Sequence, residues 1–428
     1  MNKKKLLILG SDVGSLDVVR EAHRMGLYVI VSDLMETSPT REEADEVWGI
    51  STTDIDTLAN KCIEENVSGI LTGSSDFNIT QSRFVCKKAG LPLYCEGDEA
   101  WDIANNKGKF KKICEEVGAP TARRFHLTDE LCREDLDQIE YPVVVKPVDM
   151  SGNRGMSYCY KEEDVIKAYK KARSVSSNPD IICEKMLHGS EYVVNYVVAN
   201  GEASLLYFGR ELHQEGEAAN LYSMITTSAN QLKVWLEEAD DKVKKAFKKA
   251  GFNDGIAWVE VMLDKDGHFY IIEPAWRFSS ETSYALYQNV NGFNSLRFLI
   301  ETAIGIKHTS KDLPKSLDCA YKDSVGSYHL FTKKGGVISK VTGIKEIESM
   351  ENVDLDLPKR EGGKIVPGAN MGLIRAYCKS MEEMVEVYKK VNSVFSVLDE
   401  NGENMFVRFT GYDQMLDDFN AGLSQFSE

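Results

Sequence analysis

The stretch Tyr141-Pro142-Val143-Val144-Val145-Lys146-Pro147, followed at once by Asp149-Met150-Ser151-Gly152-Asn153-Arg154-Gly155-Met156, decides how this chain is read. Three consecutive valines predict a buried strand. The strand delivers Lys146 beside a loop whose glycines let backbone N–H groups approach phosphate oxygens closely, and Arg154 adds a cation at the loop tip. This is not a Walker A sequence, because no Gly-Lys-Ser or Gly-Lys-Thr follows. Taken alone it also reads as a tight turn with an exposed arginine, so the neighbouring segments have to decide.

Upstream, a helical pattern from Lys107 to Val117 is stopped by Gly118-Ala119-Pro120. Downstream come a helix near Glu162 to Ser174 and the strand Ile181 to Glu184. Strands at Glu191 to Val198 and Ser204 to Gly209 follow, then one helix over Leu232 to Ala250. Two strands, Ile256 to Leu263 and His268 to Trp276, flank the turn Asp264-Lys265-Asp266-Gly267.

The first hundred residues alternate strand and helix. Strands are expected at Leu6 to Gly10, Tyr28 to Asp33, Gly69 to Thr72 and Leu91 to Tyr94, with helices at Leu16 to Met25 and Ile55 to Asn66. That alternation predicts a parallel sheet with crossover helices. A dinucleotide site is the alternative for this region, with Asp33 on a ribose. However, Gly10-Ser11-Asp12-Val13-Gly14-Ser15 lacks the GxGxxG spacing. The last third, from about Pro314, has short strands, several glycines and a helix at Met381 to Val391, and no catalytic cluster.

Glu260 in Trp258-Val259-Glu260-Val261 and Glu273 in Ile271-Ile272-Glu273-Pro274 each interrupt an apolar run. A carboxylate inside a strand is unfavourable unless it faces solvent or a cation. A four-residue turn would pair Leu263 with His268 and Glu260 with Ile271, leaving Glu273 one diagonal step from Glu260 on the same face. Two carboxylates so placed can hold Mg2+; two carboxylates on a solvated face are the plainer reading. A further segment, Glu184-Lys185-Met186-Leu187, ends a strand whose free backbone groups could read adenine, and Glu191 could accept from ribose hydroxyls.

With 428 residues, two or three domains are expected. The charge of −16 argues against nucleic-acid or acidic-membrane partners. Any cations for a polyanionic ligand must then be concentrated locally. Nine cysteines without CxxC or zinc-type spacing suggest free buried thiols in a reducing compartment. The basic start Met1 to Lys5 precedes only a strand-length apolar run, so neither a signal peptide nor a membrane span is expected, and a cytoplasmic setting is.

The order and spacing of these fragments resemble the ATP-grasp superfamily along nearly the whole chain. The likeness is to the branch of biotin carboxylases, carbamoyl-phosphate-synthetase-like proteins and L-amino-acid ligases. It implies an α/β and α+β multidomain fold: an N-terminal parallel α/β (pre-ATP-grasp) domain over 1–103, an ATP-grasp domain over 104–313 and a small mixed C-terminal domain over 314–428.

The resemblance also implies the site. ATP and Mg2+ (Mn2+ as an alternative ion) would be the cofactors. Lys107, eleven residues before the Gly-Ala-Pro turn, would contact ATP phosphates. Lys146 would contact the nucleotide, and Ser151, Gly152, Gly155 and Met156 would form the loop over the phosphates, with Arg154 beside them. Glu184, Lys185 and Leu187 would line the adenine pocket, and Glu191 the ribose. Glu260 and Glu273 would bind metal, and Arg277 would meet the transferring phosphoryl group. The family motif Glu-x-Asn-x-Arg reads Glu273-Pro274-Ala275-Trp276-Arg277 here, so Ala275 stands where a metal-binding asparagine is usual. Ser279, Ser280 or Glu281 could compensate.

The activity implied is ATP-dependent carboxylate–amine ligation through an acyl-phosphate, with small-molecule acid and amine substrates and a homodimeric assembly. A bicarbonate-dependent carboxylase and a nucleotide-binding, non-catalytic relative are the alternatives. No Met-Lys-Met biotin-attachment tripeptide occurs. After the strand ending at Gly209, Arg210 and His213 are candidates to face the pocket, against a surface reading for His213. Trp258 and Trp276 read as core.

Overall fold

The computed structural model describes residues 3–35, 38–150, 154–213, 222–226, 229–280, 284–316, 324–357 and 361–416. The N-terminal strands β1 (Lys5–Leu9), β2 (Tyr28–Ser32), β3 (Glu46–Trp48) and β4 (Val67–Leu71) form one sheet in the order β3-β2-β1-β4. All three pairings are parallel, as alternation with the helices Ser15–Arg24 and Ile55–Glu64 requires. One expectation fails here. Leu91 to Tyr94 forms no strand; Pro92 removes a ladder donor, and Tyr94 is instead buried in the central core. The strand Glu46–Trp48, too short and polar to show a pattern, was not foreseen.

A small antiparallel sheet follows, β5 (Arg124–Phe125), β6 (Val143–Pro147), β7 (Ser157–Cys159) and β8 (Ile181–Lys185), in the order β5-β8-β6-β7. The helix Glu162–Val175 packs on it through Val165 and Ala168. The main sheet has eight strands. Its first half contains β9 (Gly189–Ala199), β10 (Glu202–His213), β11 (Tyr222–Thr226), β12 (Gly255–Asp264) and β13 (Phe269–Ala275).

The last third adds β14 (Ser324–Phe331), β15 (Gly336–Val337), β16 (Lys340–Thr342), β17 (Val353–Asp356), β18 (Lys364–Ile365), β19 (Asn370–Cys378) and β20 (Ser396–Leu398). The main sheet runs β13-β12-β9-β10-β11-β14-β19-β17, while β15-β18 and β16-β20 make two small ribbons. The β11–β14 pairing carries the sheet across residue 314.

One face of the main sheet is closed by the helices Ala229–Glu238 and Asp240–Lys249. Trp235 and Phe269 meet edge-on with ring centroids 5.4 Å apart, and Tyr192 stacks on Phe208. The single helix expected over Leu232 to Ala250 is broken at Ala239, whose φ of −128° leaves the helical region. The opposite face of β9, β10, β12 and β13 holds the charged residues.

Candidate active site

Asn106 starts the helix Lys107–Val117 by accepting from the Lys109 amide at 3.0 Å. This fixes Lys107 at the first helical position, and Lys111 one turn on along the same side. Lys107 Nζ donates to the Met150 carbonyl at 2.6 Å and lies 2.8 Å from Glu273 Oε2. Lys111, 1% exposed, pairs with Glu184 Oε2 and donates to the Ile271 carbonyl at 3.1 Å. The other oxygen of Glu184 is 2.6 Å from Lys146 Nζ. Thus one buried carboxylate at the end of β8 is held between two buried ammonium groups, one from the helix and one from β6.

Burial by itself raises the Glu184 carboxyl, but the charges of Lys111 and Lys146 and their hydrogen bonds outweigh it and hold it at about 2. Burial lowers Lys111 with Glu184 opposing, and the net shift is downward. For Lys146 the charges of Glu184, Glu273 and Glu260 overcome burial, and its net shift is upward. Two ammonium groups against one carboxylate leave net positive charge where the sequence expects phosphate. Lys111 escaped notice in the sequence, although a signal existed: like Glu260, it breaks an apolar stripe, here Phe110-Cys114.

The acidic pair is closer than the turn alone suggests. A bulge between Glu260 and Val261 shifts the β12–β13 register, so Leu263 pairs with Phe269 and Glu260 stands directly opposite Glu273. Burial, then Glu273 and Glu191, push the Glu260 carboxyl well above its usual range. Among the described residues Glu260 has no hydrogen bond or ion pair, whereas Glu273 has Lys107. Paired hard oxygens in this state fit Mg2+, whose charge would relieve their repulsion. Ala275, two residues on and buried opposite Trp258, supplies no oxygen.

Gly155 sits at φ +79°, and a Cβ there would lie 2.6 Å from Val175 Cγ2 and 3.2 Å from the Pro147 ring. Only glycine fits, and the loop is thereby pressed onto the end of β6. Arg154 is exposed and Met156 half-buried, its carbonyl accepting from Lys171 Nζ at 2.9 Å. Ser151 and Gly152, like Glu281, lie outside the described residues. Lys185 Nζ turns back to the Tyr141 carbonyl at 3.1 Å, and the Met186 amide donates to Pro142 at 3.0 Å. Leu187, half-buried, follows at the strand exit.

Arg277 pairs with a different carboxylate. Its Nε is 2.7 Å from Asp76 Oδ1, at the start of the helix Asp76–Ala89, and its guanidinium lies 5.2 Å from the Trp258 ring centroid. Asp76 gave no sign in the sequence, because acidic residues are common in first helical turns. Trp258 therefore serves the site as well as the core, while Trp276 stacks on Phe252 at 4.6 Å as core alone. Ser279 is fully buried.

Cross-strand register puts Glu191 of β9 opposite Glu211 of β10 and opposite Met262 of β12, so Glu191, Glu211, His213 and Glu260 share one face. His213 Nε2 lies 2.6 Å from Glu191 Oε2, which places it at the site rather than on a plain surface. Arg210 does not join it. Strand alternation turns it to the other face, where Nη1 donates to the Gln414 carbonyl at 3.3 Å. The dinucleotide alternative also fails on geometry: Asp33 is bound by Arg41 at 2.7 Å and by Ser11. Gly14 is packed so tightly on Phe278 that a Cβ would come within 2.5 Å of its ring.

Residues 139–283, which carry Lys146, Glu184, Glu260 and Glu273, match the family model described as ATP-grasp domain. The chain carries an ATP-grasp domain. Around it, the chain is 23% identical over 271 residues to formate-dependent phosphoribosylglycinamide formyltransferase of Wolinella succinogenes, covering 63% of this chain and 69% of that one. It is 23% identical over 399 residues to the carbamoyl phosphate synthase large chain of Clostridium acetobutylicum, spanning 90% of this chain but only 34% of that protein. Among solved structures, the biotin carboxylase domain dimer of Hydrogenobacter thermophilus 2-oxoglutarate carboxylase, in complex with MgADP and bicarbonate, aligns with TM-score 0.79 at 17% identity. That alignment covers 99% of this chain and 96% of that one. The L-amino acid ligase of Bacillus licheniformis aligns with TM-score 0.72 at 20% identity, over 94% of this chain and all of that one. At these identities the structures share the fold. In this ATP-grasp fold the small sheet carries Lys146 and Glu184, the main sheet carries Glu260 and Glu273, and the helix Lys107–Val117 spans both. No helix among the described residues is long and apolar enough to cross a membrane.

Proposed function

We propose that this ATP-grasp protein is a Mg2+-ATP-dependent ligase that joins a small carboxylic acid to an amine, forming an amide bond. The observation that carries the reading is the pair Lys111 and Lys146 on Glu184, beside Lys107 on Glu273 and the directly opposed Glu260 and Glu273. ATP would supply the phosphoryl group that activates the acid, and Mg2+ bound to Glu260 and Glu273 would neutralise its oxygens. Lys146 and Lys107 bind and orient the phosphate chain, with Arg154 and the loop at Gly155 over it. Arg277 meets the transferred group once its pairing with Asp76 yields to phosphoryl oxygens. Glu184 fixes Lys146 and Lys111, Lys185 and Leu187 mark the adenine end, and Glu191 receives the ribose. Small acid and amine substrates, a homodimer and a cytoplasmic setting complete the reading.

Two other readings have an observation each. The likeness to the biotin carboxylase domain favours bicarbonate as the acid, and Ala275 favours a nucleotide-binding relative without turnover. ADP release across a panel of amino acids, with and without bicarbonate, separates the three. Amine-dependent release without bicarbonate supports the ligase; bicarbonate dependence or complete silence overturns it.

A further inference from the structure

The two faces of the small sheet differ. Val143, Val145, Cys159 and Cys183 point to one side and are buried with Val165 and Ala168 of the covering helix. Alternation sends Val144 and Lys146 to the other side. Register then fixes a row of three residues on that second face, because Glu184 of β8 and Tyr158 of β7 are both cross-strand partners of Val144. Glu184 and Lys146 meet there at 2.6 Å, so this face holds the charges of the nucleotide site.

Tyr158 is the open member of the row. Glu184 is buried and Val144 half-buried, whereas Tyr158 is 54% exposed. A lone exposed aromatic is ordinary; this position is not. Along β6, Lys146 marks the phosphate end, and Val143, opposite Lys185, marks the adenine end. Val144 lies between them, and Tyr158 stands beside Val144 on the edge strand. The ring is thus at the height of the nucleoside rather than of the phosphates. Burial, then the charges of Glu191 and Tyr160, push its phenol up while Lys146 opposes them, so the ribose-end glutamate and the phosphate-end lysine are both within range of one ring.

Resting on the ATP reading above, we infer that Tyr158 is the outer wall of the nucleoside subsite and packs its ring against the base and ribose of the bound nucleotide. Lys107, Lys146 and Arg154 address phosphate and are blind to what the phosphates carry. A flat aromatic face beside Val144 recognises the other half of the ligand. It covers a purine or a ribose edge, removes its own exposed area from water and needs no charge. Tyrosine has only two χ angles to fix, so ordering it on a ligand costs little. Base-on-aromatic stacking, read by alanine substitution, corresponds to about tenfold or more in affinity. The hydroxyl takes no part in stacking, which makes phenylalanine an adequate replacement.

Calorimetric titration of Mg2+ and ADP into the whole protein tests the role of Tyr158. Tyr158→Ala should weaken ADP about tenfold or more, and Tyr158→Phe should stay within about twofold of wild type. The melting temperatures of all three should coincide, because the side chain is exposed. Inorganic tripolyphosphate, which has phosphates and no nucleoside, should displace ADP with the same affinity from wild type and from Tyr158→Ala. Unchanged ADP affinity in Tyr158→Ala, a Tyr158→Phe variant as weak as the alanine one, or equal weakening toward tripolyphosphate would each overturn the assignment. Wild-type protein that binds no ADP sinks the ATP reading and this assignment with it; wild-type binding beside an indifferent Tyr158→Ala sinks the assignment alone.

Discussion

Lys107 Nζ lies 2.8 Å from Glu273 Oε2, so a lysine expected on phosphate is bonded to a carboxylate expected on metal. On the proposed reading Mg2+ and Lys107 would bind Glu273 in alternation, and nucleotide phosphates would provide the lysine with a new partner. Glu273→Gln should abolish ADP release while shifting the melting temperature little, because losing the Lys107 pairing is offset by relief of the repulsion with Glu260. Lys107→Ala should weaken ATP binding by about 1.5–3 kcal/mol, the worth of a charge-assisted hydrogen bond. Calorimetry with ATP and a thermal melt check both; retained turnover in Glu273→Gln would remove the metal assignment.

Glu184 offers a pH test. Its folded carboxyl is held at about 2 against an ordinary value of 4.5. A depressed carboxyl stabilises the fold above its unfolded value and loses that contribution as pH falls through the folded one. Glu184→Gln should cost about 3–5 kcal/mol near neutrality, since it leaves Lys111 and Lys146 uncompensated in the interior. The gap between wild type and variant should close between pH 4.5 and about 2. Urea midpoints measured across that range decide it; a constant gap would show that the carboxylate is not the cause.

Gly155→Ala meets two obstacles, a positive φ of +79° and the Val175 side chain at 2.6 Å. The loop must move, and we expect about 1–3 kcal/mol of lost stability together with a raised KM for ATP. Val175→Ala added to it should recover part of the stability by removing the collision while the backbone strain stays. Failure of the second substitution to recover anything would place the whole effect on φ.

Ala275 offers no oxygen to the proposed metal site where the usual motif has an asparagine. If Glu273 and position 275 serve the same ion, turnover needs high free Mg2+, and Ala275→Asn should shift the activation curve to lower concentration without changing the substrates used. Ala275 is buried opposite Trp258, so crowding should cost about 1–3 kcal/mol. Activity titrated against free Mg2+ for both proteins is the measurement. Superimposed curves would mean that position 275 faces no metal.

The sequence alone carried the longer elements between Lys107 and Ala275, though not the short strands β5, β7 and β11 or the break at Ala239. Their strands are β-branched runs, the helix Lys107–Val117 is stopped at Gly118, and such signals are local. It also exposed Lys146, Glu260 and Glu273, because a charge inside an apolar run violates burial unless it has a partner. Tertiary structure alone decided who the partners are. The bulge after Glu260 set the pair face to face, and no turn count reveals a bulge. Lys111 reaches Glu184 across 73 residues, and Arg277 reaches Asp76 across 201. Pairings that distant depend on how sheets and helices stack, which local periodicity does not encode. Arg210 and His213 make the same point at short range. Both are cations at one strand exit, but alternation sends one into the packed face beside Gln414 and the other to Glu191.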